Sequence, residues 1–173
     1  HQHFMLIPSY TVTENIILGQ EVLKRGLLDL KTARSRVQEL SDKYGLKVDP
    51  DAKIRDIPVG IRQRVEILKL LYRGLDILIF DEPTAVLTPQ EVTSLFAIIK
   101  ALVNDGKTVI LITHKLREVM EISDYVTVLR RGKLVGNRET NDVSIEELAE
   151  MMVGRKMLTK IPKPQTSTNR KIL

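Results

Sequence analysis

Two carboxylates stand side by side at Asp81 and Glu82, directly after the unbroken apolar run Ile77-Leu78-Ile79-Phe80 and before Pro83-Thr84. A short run of this kind suits a strand of a parallel sheet covered on both faces. Ligands of open parallel sheets sit beyond the carboxyl ends of the strands, where these two acids fall. On a sharp turn, neighbouring carboxylates point different ways. One can then hold Mg2+, usually through a water, while the other polarises an attacking water. The same pattern also fits an ordinary strand followed by an acidic turn. A second apolar run, Thr108-Val109-Ile110-Leu111-Ile112, ends in Thr113 and His114. An imidazole there is placed to sense or stabilise a phosphate, or simply to cap and pack. A third candidate is Ile57-Pro58-Val59-Gly60-Ile61-Arg62-Gln63-Arg64. Where such a segment opens a helix, its free N–H groups and the positive dipole end face an anion.

The elements that must position these residues are legible from periodicity. Thr11 to Leu18 starts like a helix, with Thr13 as the expected N-cap and Gly19 as the stop. Leu30 to Tyr44 has helical spacing at Leu30, Ala33, Val37 and Leu40 and stops at Gly45. From Val59 to Tyr72, apolar residues recur at Ile61, Val65, Leu68 and Tyr72, so an amphipathic helix is expected, ended by Gly74. A helix from Pro89 to Asn104 joins the two apolar runs, which makes a strand–helix–strand unit. Tyr125 to Arg130 and Lys133 to Gly136 read as a hairpin around Arg131-Gly132. Ser144 caps a last helix to about Val153, with Glu147 completing a capping box.

Composition narrows the class. With 43% hydrophobic and 28% charged residues in 173, the chain reads as one globular domain. No run of about 18 apolar residues spans a bilayer, and the first residues lack a signal peptide's pattern. Cysteine is absent, which excludes a disulfide scaffold and a thiolate metal site. The net charge of +5 suggests nucleic acid until it is located. Six basic residues and no acid lie between Gly154 and Leu173; removing them leaves 21 basic against 22 acidic side chains through Val153. The basicity belongs to a linker-like tail and not to a folded face, so no nucleic-acid partner is expected.

In order and spacing, these segments resemble the ATPase domain of ABC transporters over about residues 1–155. His1-Gln2-His3-Phe4-Met5-Leu6-Ile7-Pro8 resembles the family's glutamine loop, and Ile57–Arg64 the start of its signature helix. Asp81 and Glu82 match the Walker B aspartate and catalytic glutamate, and Ile112-Thr113-His114 the switch histidine. The run Ala85-Val86-Leu87-Thr88-Pro89-Gln90-Glu91 resembles importers of simple sugars and nucleosides, whose ATPase carries two such domains in one chain. The resemblance implies an α/β, partial P-loop NTPase fold, mostly parallel in its sheet, with an inserted helical subdomain. It divides the chain into a glutamine loop (1–10), a helical subdomain (11–74), a catalytic core (75–153) and a basic linker (154–173). ATP and Mg2+ are the implied cofactors. Gln2 and Asp81 would serve the metal, Glu82 the attacking water and His114 the transferring charge, while Pro58, Val59 and Gly60 would face a partner's ATP. A second ABC ATPase domain, in tandem or as a dimer, and transmembrane permease subunits are the implied partners. A substrate-binding protein acts indirectly, and the location is peripheral, on the cytoplasmic face of the membrane. Rival readings are a soluble tandem ABC ATPase acting on ribosomes or nucleic acid, and a non-catalytic regulatory domain.

The chain departs from the family pattern in three ways. It has no G-x-x-x-x-G-K-[ST] segment, which in the family lies upstream of the glutamine loop. Truncation is the expected cause, and it should expose an apolar strand edge beside Ile77–Phe80. The signature is degenerate: where the family has Leu-Ser-Gly-Gly-Gln, only Gly60 of Ile57–Ile61 is retained. The site that this signature completes belongs to the partner domain and is expected to hydrolyse ATP slowly. Thr88 stands at the family's D-loop aspartate, which weakens any crosstalk through that position. Without the amides and lysine of a phosphate loop, these 173 residues alone should bind ATP weakly and not turn it over. Titration with a nucleotide analogue checks this: micromolar binding with Mg2+-dependent hydrolysis would refute it.

Overall fold

The computed structural model describes residues 5–24 and 26–154, a mixed α/β chain in two compact units that meet in sequence between His114 and Lys115. The first unit opens with α1 (Val12–Ile17), capped by Thr11 and not by Thr13 as the sequence suggested. Thr11 takes the extended backbone that a cap needs, and its side chain and that of Glu14 satisfy each other's backbone N–H in a capping box. Thr13 is instead buried, its hydroxyl donating to the Pro50 carbonyl at 2.9 Å. A small antiparallel pair, β1 (Leu23–Lys24) with β2 (Leu27–Leu28), leads into α2 (Leu30–Lys43). Two residues per strand leave no alternation for sequence reading to detect.

After a 3-10 turn at Ile54–Asp56 comes α3 (Val59–Tyr72). α1, α2 and α3 pack on one another, and their stripes supply a common core of Val12, Ile16, Ala33, Val37, Val65 and Leu68, all fully buried. Each leucine or isoleucine so buried contributes about 1.5–3 kcal/mol relative to exposure. Tyr72 closes the stripe, with the Arg36 guanidinium 4.8 Å over its ring.

Next come β3 (Ile77–Asp81), α4 (Pro89–Asn104) and β4 (Thr108–Ile112). The two strands pair in parallel, from Ile77 beside Thr108 to Asp81 beside Ile112, and α4 packs on β4. The apolar runs suggested cover on both faces; among the described residues only one face is covered. Leu78 and Phe80 are buried, whereas Ile77 and Ile79 are 61% and 58% exposed. Successive strand side chains point to opposite faces, so helices packed on one side leave the odd-numbered isoleucines uncovered.

The second unit holds α5 (Leu116–Ile122), β5 (Tyr125–Arg130), β6 (Lys133–Glu139) and α6 (Ile145–Val153). α5 has two turns and no clear periodic stripe, and the sequence reading did not include it. β5 and β6 form the expected hairpin, with both Arg131 and Gly132 at positive φ, as a tight two-residue connection requires. Val119, Val128, Val143 and Leu148 make a separate core there. Ser144 caps α6 through the Glu147 N–H, but the Glu147 carboxylate turns to Arg138 at 3.5 Å in place of closing a capping box. Among the described residues, no helix is long and apolar enough to cross a membrane.

A polar link ties α2 to the strand–helix–strand unit. The Tyr44 hydroxyl and the Lys43 ammonium both donate to Asp105 Oδ2, at 2.5 and 2.9 Å, just past the end of α4. The Tyr44 hydrogen bond, and after it that of Lys43, holds the Asp105 carboxyl below the ordinary 3.8 of an aspartate. A carboxyl depressed in this way stabilises the fold above its unfolded pKa and loses that contribution as pH falls through the folded value. Asp105→Asn should therefore lower the unfolding midpoint of the full-length protein at pH 7. The gap from wild type should close as the pH is taken below 3.8. Thermal melts followed by circular dichroism measure it, and a gap that does not change with pH would contradict the linkage.

Candidate functional site

The parallel register delivers the site's acids. Asp81 is the last residue of β3, directly beside Ile112. Glu82 then leaves the strand with φ +46°, a left-handed conformation that costs a non-glycine residue about 1–2 kcal/mol. Its N–H donates to the Ile112 carbonyl at 2.9 Å, so the chain turns while still fastened to β4. The turn carries its carboxylate towards the residue two beyond β4. His114 Nδ1 lies 2.7 Å from Glu82 Oε1. Which of the two groups donates the hydrogen of this contact depends on the imidazole tautomer. The imidazole is otherwise open, its side chain 71% exposed.

The second oxygen, Glu82 Oε2, is buried and has no hydrogen-bond partner among the described residues. Buried polar atoms are satisfied in the great majority of cases, and the exceptions concentrate where chemistry is done. Oε2 keeps an unused acceptor position, closed to solvent in this structure. Among the described residues, no group of three or more His, Cys, Asp or Glu could hold a metal ion by itself. A Mg2+ ion that arrives on phosphates needs only one or two protein carboxylates and keeps several waters, so Asp81 fits that demand. A cleft of about 730 Å3 runs beside the acids, where Val59, Gln63 and Glu66 of α3 face Ile79, Asp81 and Glu82.

The remaining candidates are placed as follows. Gln2 lies outside the described residues, as do Phe4 and the basic residues from Arg155 onward. The segment after Gln2 is fastened down: Met5 donates its N–H to Glu66 Oε1 and accepts from Lys69 Nζ. The buried Asn15 exchanges two hydrogen bonds with the Ile7 backbone. Pro58 is the N-cap of α3 and supplies no side-chain cap, so the first N–H groups of that helix are left to other partners. Val59 is partly exposed and lines the cleft. Gly60 has a local reason to be glycine: a Cβ there would run into the carboxyl of Glu91. That carboxyl is already engaged, because Glu91 Oε2 accepts from the Thr88 N–H and hydroxyl in the capping box of α4. Sequence reading assigned neither Gln63 nor Glu91 to the site. The capping pattern Thr-x-x-Glu was the available signal for Glu91; Gln63 lay inside the candidate segment Ile57–Arg64 but was given no role of its own.

Comparison with known proteins adds the following. The model of the ABC transporter family matches residues 1–85. The chain is 63% identical over 155 residues to a nucleoside import ATP-binding protein, NupA, of Lactococcus lactis subsp. cremoris, covering 90% of this chain and 31% of that one. It is 55% identical over 173 residues to the guanosine import ATP-binding protein NupO of Bacillus subtilis, covering all of this chain and 34% of the relative. The chain therefore spans about a third of the length of these curated relatives. Among solved structures, cbiO1 of Clostridium perfringens, part of an ABC transporter complex, superposes with a TM-score of 0.68 at 25% identity, over 84% of this chain and 57% of that one.

The contact between Gly60 and Glu91 has a measurable consequence. Gly60→Ala should displace the Glu91 carboxyl, the flexible end of its side chain, and loosen the Thr88 cap, a loss set against the roughly 0.5–1 kcal/mol that alanine gains over glycine within a helix. Glu91→Ala loses the cap but makes room, so Gly60→Ala should be more favourable in that background than in wild type. A double-mutant cycle on the full-length protein tests this, and additive effects would mean that the two residues do not interact.

Proposed function

This chain belongs to the ABC transporter family, and from that premise we propose that it is part of the ATP-hydrolysing subunit of an importer for simple sugars or nucleosides. The observation that carries the reading is the 2.7 Å contact between Glu82 and His114 at the ends of two paired parallel strands. The names of the relatives, nucleoside and guanosine import ATP-binding proteins, support the substrate class. Asp81, joined by Gln2, would hold the Mg2+ that accompanies ATP. The metal supplies charge neutralisation at the transferring phosphate. Glu82 orients and polarises the attacking water through its carboxylate. Protonated on both nitrogens, His114 would donate to Glu82 from Nδ1 and to the γ-phosphate from Nε2.

The α3 N-terminus, with Pro58, Val59 and Gly60, faces the ATP of a second ABC ATPase domain, in tandem or as a dimer. Pro58 offers no hydroxyl and Val59 adds a side chain where backbone would approach phosphate, so the site completed by this segment binds ATP but turns it over slowly. The protein works at the cytoplasmic face of the membrane, bound to permease subunits and served indirectly by a substrate-binding protein. Glu82→Gln in the intact transporter should lower ATPase kcat by about 10²-fold or more while ATP binding is retained. Survival of more than half of the rate would reject the reading.

A further inference from the structure

Three consecutive residues at the start of α3 each reach a backbone carbonyl in a different segment. Arg62 donates to the carbonyls of Ile57 and Arg55, at 3.0 and 3.3 Å, and holds the entry to its own helix. Arg64 donates to Leu46 at 3.1 Å and holds the loop after α2. Between them, Gln63 Nε2 donates to the Pro83 carbonyl at 2.9 Å, twenty residues along the chain. The acceptor matters because Pro83 follows Glu82 directly. Glu82 has φ +46°, and a residue before proline prefers extended backbone, so its own preferences do not maintain this turn. Its surroundings must. β4 and the residues just past it supply two tethers, the Ile112 carbonyl to the Glu82 N–H and the His114 ring to the Glu82 carboxylate. Gln63 supplies one from α3, on the peptide that leaves the turn. The same α3 segment is also fitted to the far end of this loop, where Gly60 meets Glu91.

We infer that Gln63 is a positioning residue for Glu82. Its amide anchors the Pro83 carbonyl and so holds the left-handed backbone from which the Glu82 carboxylate projects. The inference rests on the role proposed above for Glu82. Gln63 lies one helical turn from Val59, so the anchor also joins the segment that serves a partner's site to the turn that serves this chain's own site.

The test compares wild type, Gln63→Met, Gln63→Ala and Glu82→Gln in the full-length protein assembled with its partners, with ATP as substrate. Met keeps the length and apolar stem of Gln but cannot donate. Gln63→Met should lower kcat between about tenfold and a hundredfold, the range that small misplacements of catalytic groups produce. The KM for ATP should stay within twofold and the unfolding midpoint should not move; Gln63→Ala should behave alike in kcat. Wild-type kcat in Gln63→Met would overturn the inference. So would a kcat loss matched by a fall in both ATP affinity and unfolding midpoint, since that is the signature of a packing role alone. If Glu82→Gln keeps more than half of the rate, the failure lies in the reading of Glu82, and the inference falls with it. If Glu82→Gln is inactive and Gln63→Met is not impaired, the inference alone fails.

Discussion

The site depends on one register. β3 and β4 pair in parallel with Asp81 beside Ile112, so both strands end at the same height. From that level, one residue more on the first strand is Glu82, and two more on the second is His114. A slip of one residue in this pairing would move every side chain of a strand to the other face of the sheet. It would also break the 2.7 Å contact. The register is in turn set by burial: Leu78 and Phe80 must face the packed side, and that parity decides where Asp81 falls.

A strained turn converts this register into chemistry. Glu82 could continue the strand in a relaxed extended conformation, and its carboxylate would then follow the pleat. The left-handed backbone instead turns it across to the imidazole and leaves Oε2 buried, with no partner among the described residues. A buried carboxylate oxygen with no partner among the described residues and a positive φ both oppose stability. They persist because hydrogen bonds from β4, the residues just past it and α3 over-determine the turn. The helices therefore do more than cover the sheet. α3 in particular is a hub of carbonyl contacts, through Arg62, Gln63 and Arg64, at the end where its own first N–H groups have no intrahelical partners.

The second unit has a different basis. Its hairpin and α6 enclose the small core of Val119, Val128, Val143 and Leu148, and its turn is set by local chemistry at Arg131-Gly132. Such a unit is specified at short range, which is why its hairpin and last helix were readable with little context. Only α5, at two turns, was too short to impose a period that the eye or a template could detect.

By itself, the sequence determined the long elements and the candidates for chemistry. α2, α3 and α4 emerge from periodicity because their apolar stripes recur at the helical repeat, and β3 and β4 from unbroken apolar runs. Asp81, Glu82 and His114 stand out because acids and an imidazole follow directly on apolar runs, at the strand ends where ligands of parallel sheets sit. Tertiary structure alone decided whether those residues meet, because pairing partner and register are properties of segments about thirty residues apart. It also decided which face of the strands is covered, that Thr11 and not Thr13 caps α1, and that Gly60 is held small by Glu91. Gln63 is the clearest case: its segment stood out only as a helix N-terminus, and its own contact arises from a carbonyl twenty residues away that folding brings within 2.9 Å.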